Sequence, residues 1–545
     1  MKNYLKRVSY NMSVTLIKSK RVDEELERRQ KSIIYRMKVF FNKERIEIER
    51  KFLFLLVYLY SLTTFNVDSR VAYGFVAEMD DVLTPISRYF KKMDVLVNKW
   101  GFKQDHISIL LSKLVPHDLL KGFLHRLAYN LSIGASFSEF IKLEYHKYIL
   151  DFDYSFERAL DKLRILSDVY TALLDAAIIV SMTAVLVSIL FGASNTYVIL
   201  MLITVITLSA LFSSITLIKV NLPPDIMVPH SLPHRSNRLK RLDKIVRKLI
   251  YFISIASFVP ILMIYSVIDA SIFIDKILEY SLLISSVYFL LGGIALFVGK
   301  LGLNIIRTIE EYDALYPVFI NTLGEAAMMT GSLKEGLTRI IYNDYSKLNN
   351  LIRRLYNRLV VGVDPEVAWR LFSEESGSNL IFFLTSIFFN AVRRGASIRE
   401  TSRILYDTSL RISKRRVGRN QIYNYFRGMV IPLQATFVAV LSLIVVLIGL
   451  LGKFMVIIQG FITYMEMPDM KILLSFIFFL IGILSIGNSW SIYMLKGDSI
   501  YTMIYYLGLS LLISGAVFLI MAGGSGTVLR FFTEFERGVE GVFTT

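Results

Sequence analysis

The sequence predicts an all-α polytopic membrane protein in which two homologous cytoplasmic helical-bundle domains alternate with about seven transmembrane helices. Three observations predict it. Seven long apolar stretches are distributed along 545 residues. Lys and Arg are segregated from those stretches in a way that orients them consistently. One turn motif, Gly-Ala-Ser-x-x-Glu, is written twice, with Ser397 standing 261 residues after Ser136.

The composition requires such segregation. Apolar residues make up 54% of the chain and the mean hydropathy is +0.51, more than an ordinary soluble protein carries. Yet 62 Lys and Arg face 45 Asp and Glu, a formal net charge of +17. A basic excess suits the cytoplasmic side of a membrane protein or a nucleic-acid partner. The chain has no cysteine, which excludes disulfides, thiolate metal sites and cysteine nucleophiles.

Residues 1–50 read as a basic cytoplasmic N-terminal arm, because they are charged and hold no apolar core of a signal peptide. Residues 51–168 read as a first cytoplasmic helical domain. Its opening stretch, FLFLLVYLYSLTTFNV at 52–67, is uncharged but shorter than the roughly 20 residues a span needs. It is expected in the core of that domain. Spans follow at 169–191 and 197–218, then a basic cytoplasmic loop at 219–248, then spans at 249–268 and 280–298. Residues 299–427 read as a second cytoplasmic helical domain, followed by spans at 428–451, 472–491 and 500–521 and an extracytoplasmic tail at 522–545. The loop 219–248 is rich in Lys and Arg, whereas 192–195 has no charge and 269–279 sets Lys276 against Asp269, Asp275 and Glu279. The positive-inside rule therefore places 219–248 and both large domains on the cytoplasmic side. Pro260 and Pro432 are expected to kink their helices. Residues 454–465 extend a helix outward or lie in the interface.

The turn motif marks helix boundaries. Ser-x-x-Glu is a capping box, in which the Ser oxygen takes the third amide and the Glu reaches back. The pattern fits Ser136 with Glu139, Ser332 with Glu335, and Ser397 with Glu400. Asp364 before Pro365 is an equivalent start. Gly134, Gly362 and Gly395 suit the left-handed position that ends the preceding helix. Cap positions 332, 364 and 397 match 68, 103 and 136 at offsets of 264, 261 and 261. Lys103 stands where a cap is expected, and Asn66 where a Gly is expected. A phosphate-cradling loop is the rival reading of these glycines, but no Gly-Lys-Ser/Thr follows any of them.

Duplicated helical domains with such turns, each followed by spans, resemble the type II secretion system F-domain family over roughly 51–528. Four spans between the domains and three after them most resemble its archaeal branch, the platform membrane protein of archaella and archaeal type IV pili. The resemblance implies a non-enzymatic platform without cofactor, acting as a homodimer. It would couple a cytoplasmic secretion ATPase to the insertion of pilin or archaellin subunits, or to filament rotation. The alternative class is a polytopic transporter or membrane-embedded enzyme, which a charged residue at membrane depth would favour.

Other chemistry is sparse. His230 and His234 are four apart, with Pro233 between them and no acidic partner, so they read as a solvated loop rather than a metal site. Asp80-Asp81 reads as a surface pair. The notable cluster is RISKRRVGR, with Arg411, Lys414, Arg415, Arg416 and Arg419 just before the fifth span. Arg235, Arg238, Lys240, Arg241 and Lys244 form a second one. Positions 411, 415 and 419 share one helical face, and the expectation is a docking stripe for an acidic ATPase surface. Binding to anionic membrane lipid is the competing reading. Nucleic acid is not expected, because no aromatic platform interleaves the basic residues.

Overall fold

The computed structural model describes residues 43–191, 193–221, 237–266, 277–458 and 470–524. Among these residues every regular element is helical. The protein is an all-α polytopic membrane protein. Seven helical stretches are long and apolar enough to cross a membrane: Phe137–Thr183, Thr204–Asn221, Asp243–Ser266, Glu279–Thr330, Ile398–Leu447, Leu474–Lys496 and Ile500–Gly523. The chain divides into two compact units, Met1–Tyr148 and Ile149–Thr545.

The first unit is a helical bundle of α1 (Lys43–Thr63), α2 (Ser69–Glu78), α3 (Ile86–Asp94), α4 (Gln104–Leu114), α5 (Asp118–Ser132) and the first turns of α6 (Phe137–Phe191). The apolar run at 52–62 lies in its core. Leu55, Leu56, Val57, Tyr58 and Leu62 are fully buried, and α1 is not among the seven membrane-length stretches. Phe52 meets Phe123 edge-on at 5.9 Å and Tyr148 at 4.9 Å. A helix apolar on nearly every side is buried by protein on every side, which is why hydropathy alone cannot tell it from a short span. Asp80 is no idle surface residue. Its carboxylate accepts from Thr84 Oγ1 at 2.6 Å and Ser87 Oγ at 2.7 Å, tying the start of α3 to the preceding helical turn.

The second unit begins inside α6, twenty residues before the expected domain boundary at 168. The reason is packing: beyond Tyr148 the partners of α6 lie downstream, as when the Tyr170 ring packs at a tilt against Phe426, 5.3 Å between centroids. The unit continues with α7 (Ala193–Asn221), α8 (Asn237–Ala256), α9 (Val259–Ser266), α10 (Ile277–Thr330), α11 (Leu333–Ile340), α12 (Asn349–Val361), α13 (Pro365–Glu375), α14 (Asn379–Arg393), α15 (Ile398–Ile458), α16 (Met470–Lys496) and α17 (Ile500–Phe518). Pro260 sits in the first turn of α9, where the missing amide costs nothing, and α8 stops just before it at Ala256. Pro432 lies inside α15, which continues through it. Residues 454–458 belong to α15; the rest of 454–465 lies outside the described residues.

The expected second domain and the spans are one unit because they share helices. α10 has 54 residues and α15 has 61. At 1.5 Å per residue each runs roughly 80–90 Å, with one end in the apolar bundle and the other in the helical domain. The domain's core is aromatic: Phe319 meets Phe372 at 5.7 Å, and Trp369 meets Phe372 at 5.9 Å and Phe388 at 6.0 Å. In the apolar bundle α10 and α17 approach to backbone contact. A Cβ on Gly508 would lie 2.5 Å from the Leu296 amide and 2.7 Å from the Gly292 carbonyl. Small residues at such crossings substitute for a hydrophobic drive that lipid does not supply.

Candidate functional site

The repeat turns share backbone geometry. In the first unit the Ala135 amide donates to the Asn130 carbonyl and the Gly134 amide to the Leu131 carbonyl, both at 3.2 Å. In the second unit Ala396 donates to Ala391 and Gly395 to Val392, both at 3.0 Å. These are the two bonds of a Schellman stop, and they need a left-handed residue. Gly134 has φ +70° and Gly395 φ +99°. The following amides are then capped, Glu139 N by Ser136 Oγ and Glu400 N by Ser397 Oγ, each at 3.4 Å. Gly362, at φ +89°, and Asp364, whose carboxylate accepts from Glu366 N at 3.2 Å, form the related third turn. Ser332 departs from the expectation. It holds the N-cap position before Glu335 but its side chain makes no cap bond; its carbonyl instead accepts from Thr330 Oγ1 at 3.2 Å. Asn66 takes the left-handed conformation itself, at φ +52°, so it replaces the missing Gly. Lys103 gives no side-chain cap.

Within the basic stripe on α15, where a docking face is expected, Arg415, Arg416 and Arg419 are turned inward, whereas Arg411 and Lys414 stay exposed. Arg411 Nη1 donates to Asp153 Oδ2 at 2.9 Å, and Arg415 Nε to Asp153 Oδ1 at 2.7 Å. The Arg415 guanidinium also lies over the Phe152 ring at 4.0 Å, leaving that side chain 8% exposed. Arg416 pairs with Asp313, whose carboxylate also accepts from Ser378, the N-cap of α14. Arg419 is 3% exposed. Its guanidinium donates to the Leu495 carbonyl at 2.8 Å and the Met494 carbonyl at 3.0 Å, the orphan acceptors in the last turn of α16. A side chain at the adjacent Gly497, φ +68°, would collide with that guanidinium at 1.9 Å. Arginines are placed here because three other elements present them with carboxylates and carbonyls, a pairing that the spacing on α15 cannot reveal. Lys414 alone of the five is a plainly solvent-facing charge, and Arg411 is half-exposed.

Further polar contacts extend this junction. Lys496 Nζ lies 2.5 Å from Asp498 Oδ2, and Asp498 accepts from Thr502 Oγ1 at 2.7 Å. Tyr423 and Tyr506 share a hydroxyl–hydroxyl bond, and Arg427 Nη1 donates to Tyr506 at 3.2 Å. Deeper in the apolar bundle, Tyr170 donates to Asn488 at 2.7 Å, Asn488 to Gln434 at 2.5 Å, and Gln434 to Ser485 at 3.1 Å and Ser514 at 3.2 Å. Four helices are thus joined by neutral side chains. Asp153, Asp313, Gly497 and Asp498 were absent from the sequence reading. The Gly-Asp-Ser turn between two spans is a signal for Gly497 and Asp498 only, and Ser499 does cap α17 by accepting from the Tyr501 amide at 3.3 Å; Asp153 and Asp313 have no local signature.

In the second basic cluster, Arg235 lies outside the described residues. Arg238, Lys240 and Arg241 are on α8, and Lys244 is exposed on it. His230 and His234 lie outside the described residues, while His117 caps α5 by accepting from Leu119 N at 3.1 Å.

Fold and site define a polytopic membrane protein whose helical domain is locked to its spans through buried charge. Two curated proteins, both named Flagella accessory protein J, are similar to it. That of Methanocaldococcus jannaschii is 24% identical over 361 residues, covering 65% of this chain and 62% of the relative. That of Methanococcus voltae is 22% identical over 377 residues, covering 68% and 64%. The match spans less than two thirds of either relative's length. No family model matches the chain, and no solved structure does.

Proposed function

We propose that this protein is the integral-membrane platform of an archaellum or a related type IV pilus-like assembly machine. It takes mechanical work from a cytoplasmic secretion ATPase and uses it to insert pilin-like subunits or to turn the filament. The platform itself performs no chemistry, works as a homodimer, and keeps its helical domains and N-terminal arm on the cytoplasmic side. The observation that carries this reading is the similarity to proteins named Flagella accessory protein J. The architecture agrees with it: two helices run unbroken from the helical domain into the apolar bundle, and the charged junction around Arg415, Arg416 and Arg419 clamps that domain to α6 and the α16–α17 hairpin. A part that receives force needs such a clamp more than it needs a pocket.

The test is deletion and complementation. Cells lacking the protein are expected to have no surface filaments by electron microscopy while still holding filament subunits in the membrane. Wild-type copies restore filaments and co-purify with the ATPase. Normal filaments in the deletion strain would overturn the proposal.

A further inference from the structure

The α8 helix carries an exposed stripe whose chemistry changes along its length. Its inner face is fixed by Val246, Ile250 and Ile253, exposed 1%, 5% and 1%, and by Asp243, which accepts from the Tyr501 hydroxyl at 2.8 Å. The spacing i, i+4, i+7 turns the opposite face outward. On that outer face Lys244 and Lys248 are exposed, and Arg247, also exposed, lies at its edge on the side of Tyr493. One turn further come Tyr251 at 72% and Phe252 at 64%, and one turn beyond them Ile255 at 73%. Ile245, 58% exposed, lies at the stripe's edge. Among the described residues none of the three basic side chains forms an ion pair.

A water-facing helix has no reason to expose Tyr, Phe and Ile in order. A helix entering a bilayer does. Headgroups favour Lys and Arg, the interface favours aromatic rings, and the hydrocarbon favours aliphatic side chains. The dimensions agree. Lys248 and Tyr251 are separated by about 5 Å along the axis, close to the thickness of one headgroup layer, roughly 5–8 Å. The span that begins on this helix, Asp243–Ser266, continues in the same direction.

We propose that the outer face of α8 is a binding site for anionic lipid, with Lys244, Arg247 and Lys248 holding the headgroup phosphate and Tyr251 and Phe252 packing beside the upper acyl chain. The occupant is a lipid rather than an acidic protein because the basic turn is continuous with aromatic and aliphatic turns on one face. The site goes beyond the assembly function, since it would anchor this edge of the unit to a charged leaflet whatever the unit drives. Each basic residue near an anionic surface favours binding about fivefold, so three give a preference on the order of a hundredfold.

The experiment uses the full chain in nanodiscs of phosphatidylcholine with about 30% phosphatidylglycerol, released and weighed by native mass spectrometry. Wild type is expected to retain phosphatidylglycerol strongly over phosphatidylcholine. The variant K244Q/R247Q/K248Q is expected to lose at least tenfold of that preference, with Arg235, Arg238, Lys240 and Arg241 left to hold the topology. The charge-preserving variant K244R/K248R retains it. Inorganic phosphate added to protein in neutral detergent gives no adduct that depends on these residues. The proposal is overturned if wild type shows no preference between the two lipids, if the triple variant keeps the full preference, or if free phosphate alone reproduces the binding. A triple variant that fails to insert is set aside in favour of the single K248Q, for which a loss of about fivefold is expected and an unchanged preference overturns the proposal.

Discussion

Gly497 and Arg419 show how one position can be fixed twice. The left-handed backbone at φ +68° disfavours any side chain, and the Arg419 guanidinium fills the space a Cβ would take. Gly497→Ala is therefore expected to cost more than the usual 1 kcal/mol or so of a left-handed glycine replacement, and to lower the thermal unfolding midpoint in detergent more than Gly134→Ala does. The caps give a graded series. Ser136→Ala and Ser397→Ala should each cost about 1 kcal/mol, whereas Ser332→Ala should cost far less, because the Ser332 side chain makes no cap bond. Equal losses at all three positions would contradict the assigned geometry. Asp80 supplies a pH test. Hydrogen bonds from Thr84 and Ser87 hold its carboxyl below the ordinary carboxylate range. Its contribution is thus fully present above the unfolded-state value near 4 and is lost as pH falls through the lower folded value. Hydrogen-exchange protection at residues 84–90, corrected for intrinsic rates, should decline in that acid window, and Asp80→Asn should abolish the decline.

At the level of elements, the stripe on α15 marks where sequence reasoning stopped. Spacing put Arg411, Arg415 and Arg419 on one face, and they are on one face. It could not say whether that face meets water or protein, since Asp153 precedes Arg415 by 262 residues and the Leu495 carbonyl has no side-chain signature. The helices and their stops were legible because capping chemistry is local; the pairing of charges was not, because it depends on which helices pack together. Reversing the three arginines to Glu would set carboxylates against Asp153 and against carbonyl oxygens, so the expected outcome is loss of folded protein rather than loss of one partner. A sharper measurement is the Asp313–Arg416 pair. Asp313→Ala should cost about 1.5–3 kcal/mol by removing a charged hydrogen-bond partner of the largely buried Arg416 guanidinium. The double change Asp313→Ala with Arg416→Met should recover much of that, and a strictly additive cycle would show that the two do not interact.

For the whole molecule, the fold class followed from physics that needs no tertiary detail: apolar stretches of span length, and basic residues kept out of them. The limits of the units did not follow, since α6, α10 and α15 each outrun the segment that hydropathy assigned to them. Close packing of α10 on α17 was equally hidden, for Gly292 and Gly508 look like ordinary small residues in greasy helices until their backbones are seen in contact. Gly508→Leu should separate these helices and, under the proposed function, abolish filaments while leaving membrane insertion intact.

The unbroken passage of α10 and α15 from helical domain to apolar bundle has a mechanical meaning. A helix of this length behaves as a rod whose stiffness against twisting is set by its hydrogen-bond ladder, which lacks one donor at Pro317 in α10 and one at Pro432 in α15. Two such rods, cross-braced about a third of the way from their domain ends by Arg416 on Asp313, resist shear as a truss does. Under the proposed function, a push delivered at the free ends of the helical domain would arrive in the bilayer as tilt or rotation of these helices, with a stroke set by lever length rather than by the size of any local rearrangement.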